Sequence, residues 1–212
     1  MSANLKRGCG ILLGAAFIIL SILALLPEAD VDHDAGYISS ELNIQETVDG
    51  SVTSTSYVNS DGVITEAIDM DYATVCRMWD ENGRIIGERY LDANGDPVAR
   101  YDDYYGVSYE YDETSTVITY LDAEGNPIIR SDGYSTIIRT QIDSMASEDF
   151  YYDLDGQQVQ CSGGYYGLQH WYNSDGQNTG MTFLDKDGHA VCSSSGYAGV
   201  TYQCNMDGTF VG

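Results

Sequence analysis

The chain has 212 residues, and its 33 Asp and Glu against 9 Lys and Arg give a formal net charge of −24. Such a field repels nucleic acid and anionic lipid headgroups and favours cations or basic surfaces as partners. Its three histidines, His33, His170 and His189, stand near no Gly-x-Ser-x-Gly elbow, phosphate loop or His-Glu-x-x-His motif, so the chain is not expected to be an enzyme.

From the N-terminus, Lys6 and Arg7 precede Gly8 to Leu26, 19 residues without a charge. That is about the length a helix needs to cross the hydrocarbon core, and positive charge before it keeps the N-terminus inside. Residues 1–27 are therefore expected to form a single-pass transmembrane anchor, with everything after it outside the cell. A cleaved signal peptide is the rival reading, but Ala29 with Pro27 two before it is a poor cleavage site. Residues 28–49 are acidic and lack periodicity, so they read as a tether, and His33 within "DVDHDAG" reads as solvated linker.

The remainder, residues 50–212, is repetitive. Turn glycines Gly95, Gly125, Gly156 and Gly188 fall at intervals of 30, 31 and 32, and each is followed nine residues on by a tyrosine: Tyr104, Tyr134, Tyr165 and Tyr197. A second turn is due twenty residues after each glycine. It is present at Gly208, at Gly176 and, with Ser115 in the slot, in "YDETSTVI", while "IDSMAS" is its decayed form. Gly83, Gly62 and Gly50 extend the series upstream, so about five units of about 31 residues stack into one array.

Asp-Gly, Asn-Gly and Glu-Gly between runs of Tyr, Val, Ile and Thr are hairpin signals. The expected fold is all-β, an elongated array of hairpin repeats behind one N-terminal helix. A gap of twelve between turns holds one strand. A gap of twenty holds two shorter strands with a corner at the Gly-Tyr step. Pro97 and Pro127, each two residues past a turn glycine, suit an edge or strand-start position.

"DLDG" and "DKDG" look like pieces of a calcium loop, yet Tyr151 and Phe183 stand where the first ligand belongs. Structural turns are the better account. No cofactor is expected, and weak calcium binding is the minority reading. Outside the apolar span, which holds Cys9, the cysteines are Cys76, Cys161, Cys192 and Cys204. Cys161 and Cys192 lie five and four residues past their turn glycines, and a disulfide between them is the pairing expected if consecutive units bring them together.

"HWYNSDGQNTG", from His170 to Gly180, with Gly164-Tyr165-Tyr166 ahead of it, resembles the choline-binding and glucan-binding cell-wall repeats of Gram-positive bacteria. The resemblance implies stacked hairpins whose aromatics cage a choline or sugar, with Tyr165, Tyr166, Trp171 and Tyr172 as the aromatic candidates, and Tyr197 and Tyr202 added from the last unit. "WDENGRII" and "YEYDETSTVI" resemble instead the tyrosine-aspartate repeats of bacterial wall-associated and toxin-shell proteins, which implies a shell or stalk. Rings that recur at one place in every unit also read as the spine of the array, and spine and cage compete for the same residues. The expected function is a non-catalytic extracytoplasmic module that binds wall polymer or surface glycan. The alternative is a stalk or scaffold that contacts surface proteins.

Overall fold

The computed structural model describes residues 37–101 and 103–202. They form one antiparallel sheet of eleven strands in strict sequence order. The strands are β1 (Asn43–Asp49), β2 (Val52–Val58), β3 (Thr74–Trp79), β4 (Ile85–Leu91), β5 (Gly106–Tyr111), β6 (Ser115–Leu121), β7 (Thr136–Asp143), β8 (Ala146–Tyr152), β9 (Gly167–Tyr172), β10 (Asn178–Leu184) and β11 (Gly199–Thr201). The chain is thus all-β there, and its one helical piece among the described residues is a 3₁₀ turn, Ser39–Glu41. The expected anchor (residues 1–27), His33, Cys9, Cys204 and the turn due at Gly208 fall outside the described residues. Among the described residues, no helix is long and apolar enough to cross a membrane.

Short and long connections alternate. The short ones close the hairpins β1–β2, β3–β4, β5–β6, β7–β8 and β9–β10, and the long ones span 59–73, 92–105, 122–135, 153–166 and 185–198. Each long connection starts with the same turn. An Asx side chain at its first position accepts the N–H four residues on, as in Asp92 to Asp96 at 2.9 Å and Asp122 to Asn126 at 2.7 Å. The glycine three residues past that Asx takes the positive φ the turn demands, 88° at Gly95 and 93° at Gly125.

Two expectations change here. The twenty-residue gap was expected to hold two strands, but it holds one. The other is cut down to single bridges, Leu91 to Pro97, Leu121 to Pro127, Tyr152 to Gln158 and Leu184 to Ala190. The reason is a second tight turn a few residues later, in which Gly133, Gly164 and Gly196 donate to Arg130, Cys161 and Ser193. Too few residues are left between the turns for a strand. Pro97 and Pro127 do begin such a bridge, where a missing N–H costs little. The second change concerns the tether. Its last seven residues are β1, an edge strand exposed along its whole length, so no buried face marks it in the sequence.

The long connections fold onto one face of the sheet and hold the core there. Val98 packs with Tyr72, Val75 and Tyr90, and Val159 packs with Tyr134, Ile137, Tyr151 and Cys161. The backbone fixes this arrangement. The carbonyls of Tyr57, Tyr90, Tyr120, Tyr151 and Phe183 accept N–H groups from Thr65, Val98, Ile128, Val159 and Val191, three residues past each turn glycine. On the other face, Gly167 is needed because a Cβ there would run into the carbonyl of Asp149 across the strand. Cys76, Cys161 and Cys192 are free thiols, so the expected Cys161–Cys192 disulfide is not formed. The slot equivalent to Cys161 in the next unit is Ser193, whose N–H repeats the bond Cys161 makes to the tyrosine four residues on. Cys192 stands one residue off that slot and is exposed, while Cys161 is buried.

Candidate functional site

The dominant side-chain feature is a single file of rings. Tyr57, Tyr72, Tyr90, Tyr104, Tyr120, Tyr134, Tyr151, Tyr165 and Phe183 follow one another with centroids 4.4 to 6.0 Å apart. Strand rings and loop rings alternate. Each strand ring stands two residues before the Asx of its turn, and each loop tyrosine from the corner inserts between two strand rings. The backbone sets the insertion, because Tyr90, Tyr120 and Tyr151 donate their N–H groups to the residue just after each loop tyrosine.

Two arginines enter the file. The guanidinium of Arg130 lies 4.5 Å from the centroid of Tyr120 and 5.2 Å from that of Tyr104. Arg100 lies 4.9 Å from Tyr72 and 5.2 Å from Tyr90. Both stand five residues past a turn glycine. Around them the rings are tilted or edge-on, at 42° to 74°. Where Cys161 or Ser193 takes the slot, Tyr134–Tyr151 and Tyr165–Phe183 stack at 13° and 21°. A guanidinium is drawn to ring faces and so competes with ring-on-ring stacking around these two arginines, while Tyr151–Tyr165, over which no arginine lies among the described residues, stays tilted at 51°. The sequence reading missed both arginines, and their repeated slot was the available signal. Burial pushes the hydroxyls of Tyr72 and Tyr165 up to about 12 and raises those of Tyr90 and Tyr151 further still.

The six aromatic candidates do not gather into one cage. Tyr165 belongs to the file, between Tyr151 and Phe183. Tyr166 serves as backbone partner to Tyr151 and Leu184. Trp171 and Tyr172 are consecutive in β9, so they point to opposite faces. The indole of Trp171 is 43% exposed and donates to Thr182 Oγ1 at 3.1 Å. Tyr172 shares a hydrogen bond with the Ser147 hydroxyl at 3.2 Å. Tyr197 takes the corner place of the last described unit, but its ring is 65% exposed. Tyr202 donates its N–H to the Thr179 carbonyl, beside β11.

A polar cluster lies on the ring-bearing face, further along β7, β8 and β9. Asp149, 3% exposed, takes two 2.7 Å hydrogen bonds from Arg139 and faces His170 Nε2 at 3.3 Å. Burial pushes this carboxyl up, but Arg139 and His170 outweigh it and hold it below the usual range. Asn178 Oδ1 accepts the Gly180 N–H, which turns its amide nitrogen toward His170 Nδ1 at 3.3 Å. With the Asn178 amide directed at Nδ1, Nε2 is the ring nitrogen that donates to Asp149. The Ser147 hydroxyl, on the same face, bonds to Tyr172.

The acidic turns show what their acids do. All seven Asx turns use the same side-chain bond to the N–H four residues on, at Asn59, Asp80, Asp92, Asp122, Asp153, Asn173 and Asp185. Neutral Asn59 and Asn173 serve as well as the acids, so the turn needs an acceptor and not a charge. Those backbone donors hold Asp80, Asp92, Asp122 and Asp185 below the usual carboxylate range. In the last turn Asp185, Asp187 and His189 bring one ligand atom each within 4.8 Å of one another. Among the described residues they are the group that could meet a cation, although Asp185 Oδ1 already accepts two N–H groups.

No family model matches the chain, and no curated protein does.

Proposed function

We propose that the β-repeat region is a non-catalytic scaffold, held outside a bacterial cell membrane by the N-terminal segment, that reaches outward and meets protein partners. The ring file carries this reading. Nine aromatic side chains, Tyr165 of the cage candidates among them, are packed against one another and under the long connections. Eleven strands about 4.8 Å apart extend over about 48 Å, a length suited to a spacer. Charge favours basic partners. Arg77, Arg84, Arg130 and Arg139 are paired with acids of the same chain and Arg100 is held on rings, which leaves few bases to offset the acidic surface. In-cell crosslinking of the full-length chain is expected to return one protein neighbour, with no retention of the chain on purified wall polymer. Retention on the polymer without a protein neighbour refutes the proposal.

One observation favours glycan recognition as a second reading, namely the half-exposed indole of Trp171, set on the face away from the ring file. Titration with choline, teichoic acid fragments and glucans, following Trp171 emission in a Trp79→Phe background, separates the two readings. A saturable change supports glycan binding, and silence across all three removes it.

A further inference from the structure

The sheet has an open edge at β1. This strand pairs with β2 over all seven residues without a bulge, and its other side pairs with no strand among the described residues. Its outward groups follow from its neighbour. Tyr57 donates its N–H to the Ala73 carbonyl and accepts the Thr65 N–H, so it turns toward β3, while Ser56 and Val58 turn toward β1. In an antiparallel ladder, opposed residues either face each other or both face away. Gln45 and Asn43 therefore face Ser56 and Val58, and the backbone N–H and C=O groups of Ile44, Glu46 and Val48 point to the open side.

The side chains of the same three residues lie on the ring-bearing face, since Ile44, Glu46 and Val48 oppose Tyr57, Thr55 and Thr53. Ile44 is 42% exposed and Val48 is 73% exposed, with Glu46 between them. An aliphatic, an acid and an aliphatic are thus spaced two apart along three free backbone positions. Of the usual guards of a sheet edge, β1 carries no lysine, proline or bulge, and its charges are the acids Glu46 and Asp49, which repel acidic strands and leave a basic one unopposed. A second β1 edge is excluded as the occupant by like charge, since it would bring Glu46 and Asp49 against another copy's acids. The chain's own tether is also acidic, with Glu28, Asp30, Asp32 and Asp34.

We infer that β1 is a docking edge that takes an extended basic segment of a partner protein as a twelfth strand, with a Lys or Arg opposite Glu46 and aliphatic residues opposite Ile44 and Val48. Backbone hydrogen bonds would supply the affinity and the three side-chain positions the selectivity. The inference rests on the scaffold reading and names the class of partner that reading requires.

The test uses the full-length chain and two synthetic strands, Thr-Val-Thr-Lys-Thr-Val-Thr and the same peptide with Glu for Lys. Amide exchange is read residue by residue. At the Lys peptide's saturation, about ten times its Kd, Ile44, Glu46 and Val48 are expected to exchange about tenfold more slowly, while Gln45 and Thr47, already bonded to β2, stay unchanged. Glu46→Lys should reverse the preference between the two peptides. Glu46→Pro removes an outward donor without breaking a β1–β2 bond, so it should abolish the protection and leave the melting temperature in place. Equal protection by both peptides, no protection at all, or full protection before any peptide is added overturns the inference. Cells carrying Glu46→Pro separate it from the scaffold reading, because a crosslinked neighbour that persists in them sinks the docking edge alone.

Discussion

Tyr151 is where the ring file can be tested most sharply. Its ring is 4% exposed, with Tyr134 stacked on one side at 4.4 Å and Tyr165 on the other at 6.0 Å. Tyr151→Ala deletes a buried aromatic and is expected to cost about 3–5 kcal/mol. Tyr151→Leu keeps most of the apolar burial but loses both ring pairs, which is worth about 1–3 kcal/mol. Tyr197→Ala, at the 65% exposed corner, should change stability by no more than about 0.5 kcal/mol. Urea denaturation of the three variants gives the order, and amide exchange gives the location. Because each unit touches only its neighbours, the loss from Tyr151 should appear in β7, β8 and β9 and leave β2 and β3 protected. A Tyr151→Ala protein as stable as Tyr197→Ala, or one loosened evenly along all eleven strands, refutes the claim that these rings are the spine.

The raised tyrosines predict alkaline sensitivity. Burial favours their neutral form, so their contribution is complete below about pH 10, the unfolded value, and drains as pH climbs toward about 12, where Tyr72 and Tyr165 ionise in the fold. Phenolate absorbance should rise in two stages, exposed rings first, with loss of near-ultraviolet dichroism accompanying only the second. Asp149 acts in the opposite direction. Its folded value is depressed, so its contribution is present above about pH 4 and lost as pH falls below that, and Asp149→Asn is expected to cost about 2–3 kcal/mol at neutral pH. That figure is reduced because the Arg139 side chain is 44% exposed, and the gap between variant and parent in urea midpoint should shrink in acid. For the turns, a chelator should leave the melting temperature unchanged, Asp153→Asn should be neutral, and Asp153→Ala should cost about 1 kcal/mol. A midpoint that rises with calcium and not with magnesium overturns the turn account.

The turns were legible because their chemistry is local. An Asx followed three residues later by glycine marks a tight turn at Gly62, Gly83, Gly95, Gly125, Gly156, Gly176 and Gly188, although the same spacing from Asp103 to Gly106 leads into β5 instead. The loop tyrosines were legible from their period. Their strand partners Tyr90, Tyr120, Tyr151 and Phe183 were visible only as aromatic strand residues, since the contact that pairs them with a loop ring is set by tertiary backbone bonds. β1 left no trace because an edge strand exposed on both faces has no reason to alternate. The cage candidates lay close together in sequence, but Trp171 and Tyr172 are adjacent in a strand, and adjacency in a pleated strand separates side chains to opposite faces.

The strict order of the strands has an evolutionary consequence. Excising residues 95–124 would join Asn94 to Gly125 and recreate an intact turn, removing one whole unit with its loop ring and strand ring together. The product would be shorter by two strands, about 10 Å, and would pair β4 with β7, a junction equivalent in place to β4–β5 and β6–β7 of the parent. Duplication of the same segment would add the same step. The length of the sheet is therefore a quantity that recombination within the gene can change in whole increments of one unit, each new interface being built from strands that already occupy equivalent places.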